Sequence, residues 1–159
     1  MNKHVDHHTS ISILEISSRE EYEGVFPILK ELKSTPPIEE VVRLCHEATK
    51  RDQFQLVAAY LDKKCIGVMG YRILFDLTHG KHLYVDDLVI TEAMRSKRIG
   101  EIMVSYAEKK AKEHDCVALR LCTGLENHGS QKFYSRLGWM KRSYAFKKYL
   151  KPWTTSPSA

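Results

Sequence analysis

A strand, a helix and a second strand follow one another between residues 82 and 123, and that order leaves few folds open. His82 to Ile90 (HLYVDDLVI) reads as a strand. Ile99 to His114 repeats Ile102, Met103, Tyr106, Ala107 and Ala111 at helical spacing, and Val117 to Thr123 (VALRLCT) is a strand again. Two strands joined through a helix lie parallel, with a crossover between them. Other elements gather around this unit. ISILEIS (11–17) is a first strand. Ser18 and Glu21 form a capping box for a helix carrying Tyr22, Phe26, Leu29 and Leu32, which Pro27 should kink or split. Thr35, Pro36 and Pro37 restart a helix with Val41, Val42 and Cys45 on its inner side. Gln55 to Leu61 and Cys65 to Phe75 should pair as a hairpin through Asp62-Lys63-Lys64, Ser130 to Leu137 is a helix, and Arg142 to Leu150 a last strand. The sum is an α/β chain, an α+β sandwich with a mixed sheet between helices.

Length and composition narrow the class further. The 159 residues suit one domain, with a core over about 11–150 and loose tails at 1–10 and 152–159. Hydrophobic content of 43% and charged content of 28% exclude a disordered or fibrous chain. No apolar run approaches the ~20 residues that span a bilayer, and the opening MNKHVDHHTS lacks the apolar stretch of a secretory signal. A soluble cytoplasmic protein with no membrane partner is expected. Cys45, Cys65, Cys116 and Cys122 show no paired spacing and read as buried thiols in a reducing compartment. His4, His7 and His8 sit in a polar tail with nothing to fix their geometry, so no metal site is expected. A net charge of +5 is mild and scattered, which fits an anionic ligand better than a nucleic acid.

The junction TEAMRSKRIG (91–100) is the most informative stretch. Its basic turn precedes the start of a long helix, where free N–H groups and the helix dipole favour a pyrophosphate. Arg95, Lys97 and Arg98 add charge, and Gly100 permits close approach. Neither a G-x-x-x-x-G-K-[ST] loop nor a G-x-G-x-x-G fingerprint is present.

R-S-K-R-I-G (95–100) resembles the Arg/Gln-x-x-Gly-x-Gly/Ala loop of the GNAT superfamily of N-acetyltransferases. N-x-x-S-x-x-F-Y-x-x-L-G-W (127–139) resembles that superfamily's N-x-x-A-x-x-F-Y-x-x-x-G-F segment. The spacing of the two motifs and the element order from 11 to 150 also match. Within the superfamily, I-G-V-M-G (66–70), the His-containing loop after Phe75, V-D-D-L-V-I (85–90) and S-Y-A-F-K-K (143–148) resemble the aminoalkylphosphonate N-acetyltransferases and related bacterial members. One position departs from the pattern: Arg98 stands where the superfamily has its first loop glycine. If residue 98 needs a positive φ, arginine is strained there; alternatively its guanidinium adds a phosphate contact.

The resemblance implies a GNAT sheet of about six to seven strands, splayed where acetyl-CoA binds, and direct transfer of acetyl to a primary amine. Candidate acceptors are a small aminoalkylphosphonate-like amine, a polyamine, or a lysine or amino-terminal amine of a protein. A non-catalytic acyl-CoA-binding regulatory module of the same fold is the other reading, and a homodimer through the last strands is compatible with both. By residue-wise matching, Arg95, Ser96, Lys97, Arg98, Ile99, Gly100 and Glu101 take the pyrophosphate, and Leu88, Val89 and Ile90 run beside the pantetheine arm. Asn127, Ser130 and Phe133 also contact the coenzyme, Phe133 doubling as core. Tyr134 matches the general acid that protonates the leaving sulfur, and Asp87 the base or amine anchor, with Asp86, Glu126 and His128 in reserve. Adjacent residues on a regular strand face opposite sides, so only one of Asp86 and Asp87 should point into the cleft.

Overall fold

The structure, a computed structural model, describes residues 10–152; His4, His7, His8 and almost all of the two tails lie outside that range. Five strands form one sheet in the order β1-β2-β3-β4-β5: Ser12–Ile16, Gln55–Leu61, Lys64–Asp76, Gly80–Ile90 and Ala118–Leu121. The first four pair antiparallel, and β5 joins β4 in parallel through the helix between them. The helices are α1 (Arg19–Leu29), α2 (Ile38–Asp52), α3 (Ile99–Glu113) and α4 (His128–Arg136), with a short 3₁₀ turn at Glu92–Met94.

Local chemistry sets these boundaries. The capping box forms as expected: the Glu21 carboxylate accepts from the Ser17 and Ser18 amides at 2.8 Å, and the Glu21 amide donates to the Ser18 hydroxyl. Pro27 does not split α1. It sits in the last turn, and the helix ends two residues later at Leu29. The Thr35 hydroxyl donates to the Leu29 carbonyl at 2.6 Å and so closes α1, leaving α2 to begin after Pro37 with no side-chain cap. Asp62 and Lys63 both take positive φ, the tight turn that right-twisted strands accept, and Leu61 pairs with Lys64 across it.

Each face of the sheet carries its own core. On one, Met69, Leu83 and Val85 meet Ile99, Met103, Ala107 and Ala111 of α3. On the other, Leu56, Val68 and Val89 meet Tyr22, Val25 and Leu29 of α1 and Val41 of α2. Gly67 lets α3 sit close, since a Cβ there would lie 2.9 Å from the Met103 sulfur. Ile102 is partly exposed, whereas Val104 is buried, so the inner stripe of α3 includes a residue that the helical spacing passed over.

Among the described residues the sheet has five strands, not six to seven. Arg142 to Leu150 forms no strand and runs exposed after Gly138, whose positive φ turns the chain away from α4. Alternating apolar residues make a strand only when an edge accepts their backbone groups, and here no strand lies beside them. The four-residue β5 is likewise shorter than 117–123.

Met103 is the fully buried hinge between α3 and the sheet. Met103→Ala should cost about 2–5 kcal/mol in chemical denaturation, because removing that side chain leaves a void under Gly67.

Candidate active site

The cleft exists because β4 outruns β5. Their parallel pairing runs from His82–Ala118 to Val85–Leu121, while β4 continues to Ile90. Past that point residues 86–90 have no strand neighbour on this side among the described residues, and a cleft of about 590 Å³ opens between residues 85–88 and Leu121–Gly124. Asn127, Ser130 and Tyr134 of α4 and its cap close the far wall.

A bulge decides what faces this cleft. Gly70 of β3 pairs with Asp87, but the next residue, Tyr71, pairs with Val85, so Asp86 is an extra residue in β4. Strict alternation fails there, and both Asp86 and Asp87 line the cleft. The expectation that only one of them could point in is therefore wrong, because it assumed a regular strand.

The two carboxylates differ in their partners. Asp86 is held in a fork by Arg72, with Nε to Oδ2 at 2.9 Å and Nη2 to Oδ1 at 2.6 Å, and Arg72 also reaches Asp52 at 3.4 Å. Asp87 has no ion-pair partner among the described residues. It is open to the cleft by surface area, yet protein crowds around it. That crowding, with the adjacent Asp86 charge, raises its carboxyl above the usual range, and Arg72 opposes the rise. Tyr134 is pushed up to about 12 by burial, so its phenol stays protonated at any ordinary pH. Its ring is held edge-on by Phe133 and tilted against Trp139, with centroids 5.0 and 5.4 Å away.

The other sequence-predicted residues divide. Leu88 lines the cleft, Val89 is buried against α1, and the Ile90 carbonyl accepts from Arg95 Nε at 3.1 Å. Arg95 also pairs with Glu31 at 3.1 Å. The 95–98 turn leads into α3 with Ser96 and Arg98 both at positive φ, 64° and 63°. Arg98 thus occupies the glycine-like conformation that was in question, with its side chain 81% exposed and its Nε 2.9 Å from Glu101 Oε2. No side chain caps α3, so its first amides remain open to an anion. Glu101 is committed to Arg98 and to Arg136 at 2.7 Å, contacts that hold its carboxyl below the usual range. Lys97 has no carboxylate partner among the described residues. Ile99 is core. Gly100 makes room for a ring: a Cβ there would lie 3.1 Å from Phe133, which packs α4 onto the first turn of α3. The Asn127 carboxamide oxygen caps α4 by accepting from the Ser130 amide at 3.0 Å. Glu126 lines the cleft and His128 opens α4 without reaching it.

Sequence reasoning missed three features. Cys122 is exposed and lines the cleft, where a buried thiol was expected. Its place just past a parallel strand's carboxyl end was the available signal. Lys33, after α1, reaches the same cleft from the opposite side. A second hollow of about 400 Å³ between α1, α2 and the sheet shares Leu32, Lys33, Asp86 and Asp87 with the first. The two hollows meet at the carboxylates.

Known proteins resemble this chain in sequence and in fold. The chain is 27% identical over 139 residues to the Bacillus subtilis protein named Uncharacterized N-acetyltransferase YhdJ, covering 87% of this chain and 98% of that one. It is 26% identical over 86 residues to the aminoalkylphosphonate N-acetyltransferase of Salmonella typhimurium, covering 54% of this chain and 56% of that enzyme. Among solved structures, the aminoglycoside N-acetyltransferase AAC(6')-Iy in complex with CoA superposes with a TM-score of 0.79 at 17% identity, over 92% of this chain and 99% of that one. At that identity the likeness speaks for the fold. Residues 13–139 match the acetyltransferase (GNAT) family, and with four-fifths of its length inside that match the chain belongs to this family of enzymes, whose cosubstrate is acetyl-CoA.

Proposed function

We propose that this protein moves acetyl from acetyl-CoA to the primary amine of a small molecule, in one direct step with both substrates bound. The observation that carries the reading is Asp87: a partnerless carboxylate with a raised pKa, facing the same cleft as Tyr134 where the sheet parts. The names of the Salmonella and aminoglycoside-modifying relatives support a small amine as acceptor.

The residues fit the coenzyme. The uncapped start of α3, with Arg95, Ser96, Lys97 and Arg98 before it and Ile99 to Glu101 in its first turn, offers open amides and positive charge to a pyrophosphate. The unpaired edge at Leu88 offers backbone groups to the pantetheine amides as an added strand would; Val89 and the Arg95-bound Ile90 carbonyl frame it. Asn127 and Ser130 complete the wall, and Phe133 holds it in place through Gly100.

The chemistry then follows. An alkylamine with pKa ~10.4 is protonated at neutral pH, and freeing its lone pair costs about 4 kcal/mol. Asp87 accepts that proton, directly or through water, as nitrogen attacks the thioester carbonyl. The C–N bond forms and the C–S bond breaks; Tyr134 gives its proton to the departing sulfur and is reprotonated by the second proton that nitrogen sheds as the amide forms, while the first leaves to solvent through Asp87. The products are an amide and free coenzyme thiol. Asp86 is neutralised by Arg72 and takes no part in the transfer.

Tyr134→Phe should lower kcat for thiol release by about 10²-fold or more, with little change in KM for acetyl-CoA. Asp87→Asn should lower kcat/KM by a similar factor and abolish its acidic limb, which in the wild type lies above the ordinary carboxylate range. The same shift has a stability consequence. A carboxyl whose folded pKa is raised favours folding in acid and loses that contribution as pH rises past the unfolded value of ~3.9. Asp87→Asn should therefore raise Tm at pH 7, and the difference should vanish in strong acid.

A homodimer is part of the proposal. Tyr144 and Phe146 are 73% and 97% exposed on a segment without a strand partner, and the outer edge of β5 is open. Two exchanged segments would cover both. Sedimentation should find a dimer, and Phe146→Asp should yield a folded monomer.

A further inference from the structure

The second hollow speaks to the acceptor's chemistry. It opens between α1, α2 and the sheet, and its walls are apolar: Leu29, Val41, Leu44, Ala48, Phe54 and Leu56. Phe54 reaches this position because β3 is bare below it. A Cβ on Gly70 would lie 2.7 Å from the Phe54 ring and 3.7 Å from Asp87 Oδ2, so ring and carboxylate share the space above that glycine. The charges at the floor are unbalanced in one direction. Arg72 is spent on Asp86 and Asp52, which leaves Asp87 as the free charge inside among the described residues. Lys33, exposed at the mouth shared by both hollows, is the other charge without a partner among the described residues lining this one.

We propose that the acceptor is a cationic amine on an apolar stem, with its nitrogen at Asp87 and its aliphatic or aromatic body in the hollow lined by Phe54 and Leu44. This rests on the transfer reading above and adds the class of amine. A phosphonate or carboxylate tail would find Lys33 at the mouth as its free cation; deeper in, with Arg72 already held by Asp86 and Asp52, it would lie against apolar walls and beside Asp86. An apolar stem of a few carbons fills the same space with its charge at the one free carboxylate, and desolvating it is favourable. The inference thus separates this chain from its aminoalkylphosphonate relative in substrate, though not in reaction.

Leu44 is the position to test, because it lines the hollow yet belongs to neither buried core cluster. The full chain is assayed for thiol release from acetyl-CoA with n-hexylamine, 2-phenylethylamine and 2-aminoethylphosphonate. In the wild type, kcat/KM for the two apolar amines should exceed that for the phosphonate by about tenfold or more, since one buried methylene is already worth ~10-fold. Leu44→Arg should shrink or invert that ratio, and Leu44→Met should preserve it. Equal or better use of 2-aminoethylphosphonate by the wild type, or a ratio untouched by Leu44→Arg, overturns this inference and leaves the transfer reading standing. Silence with all three amines while calorimetry shows acetyl-CoA bound overturns the small-amine reading, and this inference with it.

Discussion

The parting of β4 from β5 after Val85 and Leu121 is the constraint on which the site depends. A parallel pair must be bridged by a helix, and that helix places its amino end beside the strand end where the pairing stops. One topological fact therefore creates the open backbone edge, the unpaired helix amides and the cleft between them. Packing holds the strands apart: Met103 under Gly67 ties α3 to the sheet, and Phe133 against Gly100 ties α4 to α3. With both glycines bare, α3 closes on the sheet and α4 on α3, which leaves the cleft open between the parted strands.

Within that frame the bulge at Asp86 sorts two like charges into different environments. An added residue in β4 brings both carboxylates to one side, where their mutual repulsion would be costly if neither were compensated. Arg72 compensates one. The other keeps a free carboxylate in a crowded setting, and the resulting poise is the property that the proposed chemistry needs.

Much of this was legible in the sequence because its signals are local. The capping box, the Asp62-Lys63 turn and the crossover unit each rest on a few neighbouring residues, and each appears within a residue or two of its expected place. Arg98 was read as a suspect position and does adopt the left-handed conformation. Two of the errors share one cause, the pairing between distant segments. Alternation along residues 142–150 marks strand character but cannot supply a partner edge. Alternation through Asp86 and Asp87 holds only if the opposite strand keeps register, which β3 does not. The apolar hollow is still less legible, since its walls come from α1, α2 and β2 and meet only when folded.

The two hollows also divide the chain between them. The walls of the apolar one come largely from residues 29–56, whereas the cleft between the strands is built largely from residues 85–134. Only Leu32, Lys33 and the two aspartates belong to both. Substitutions along α2 can therefore reshape one chamber while the other keeps its walls.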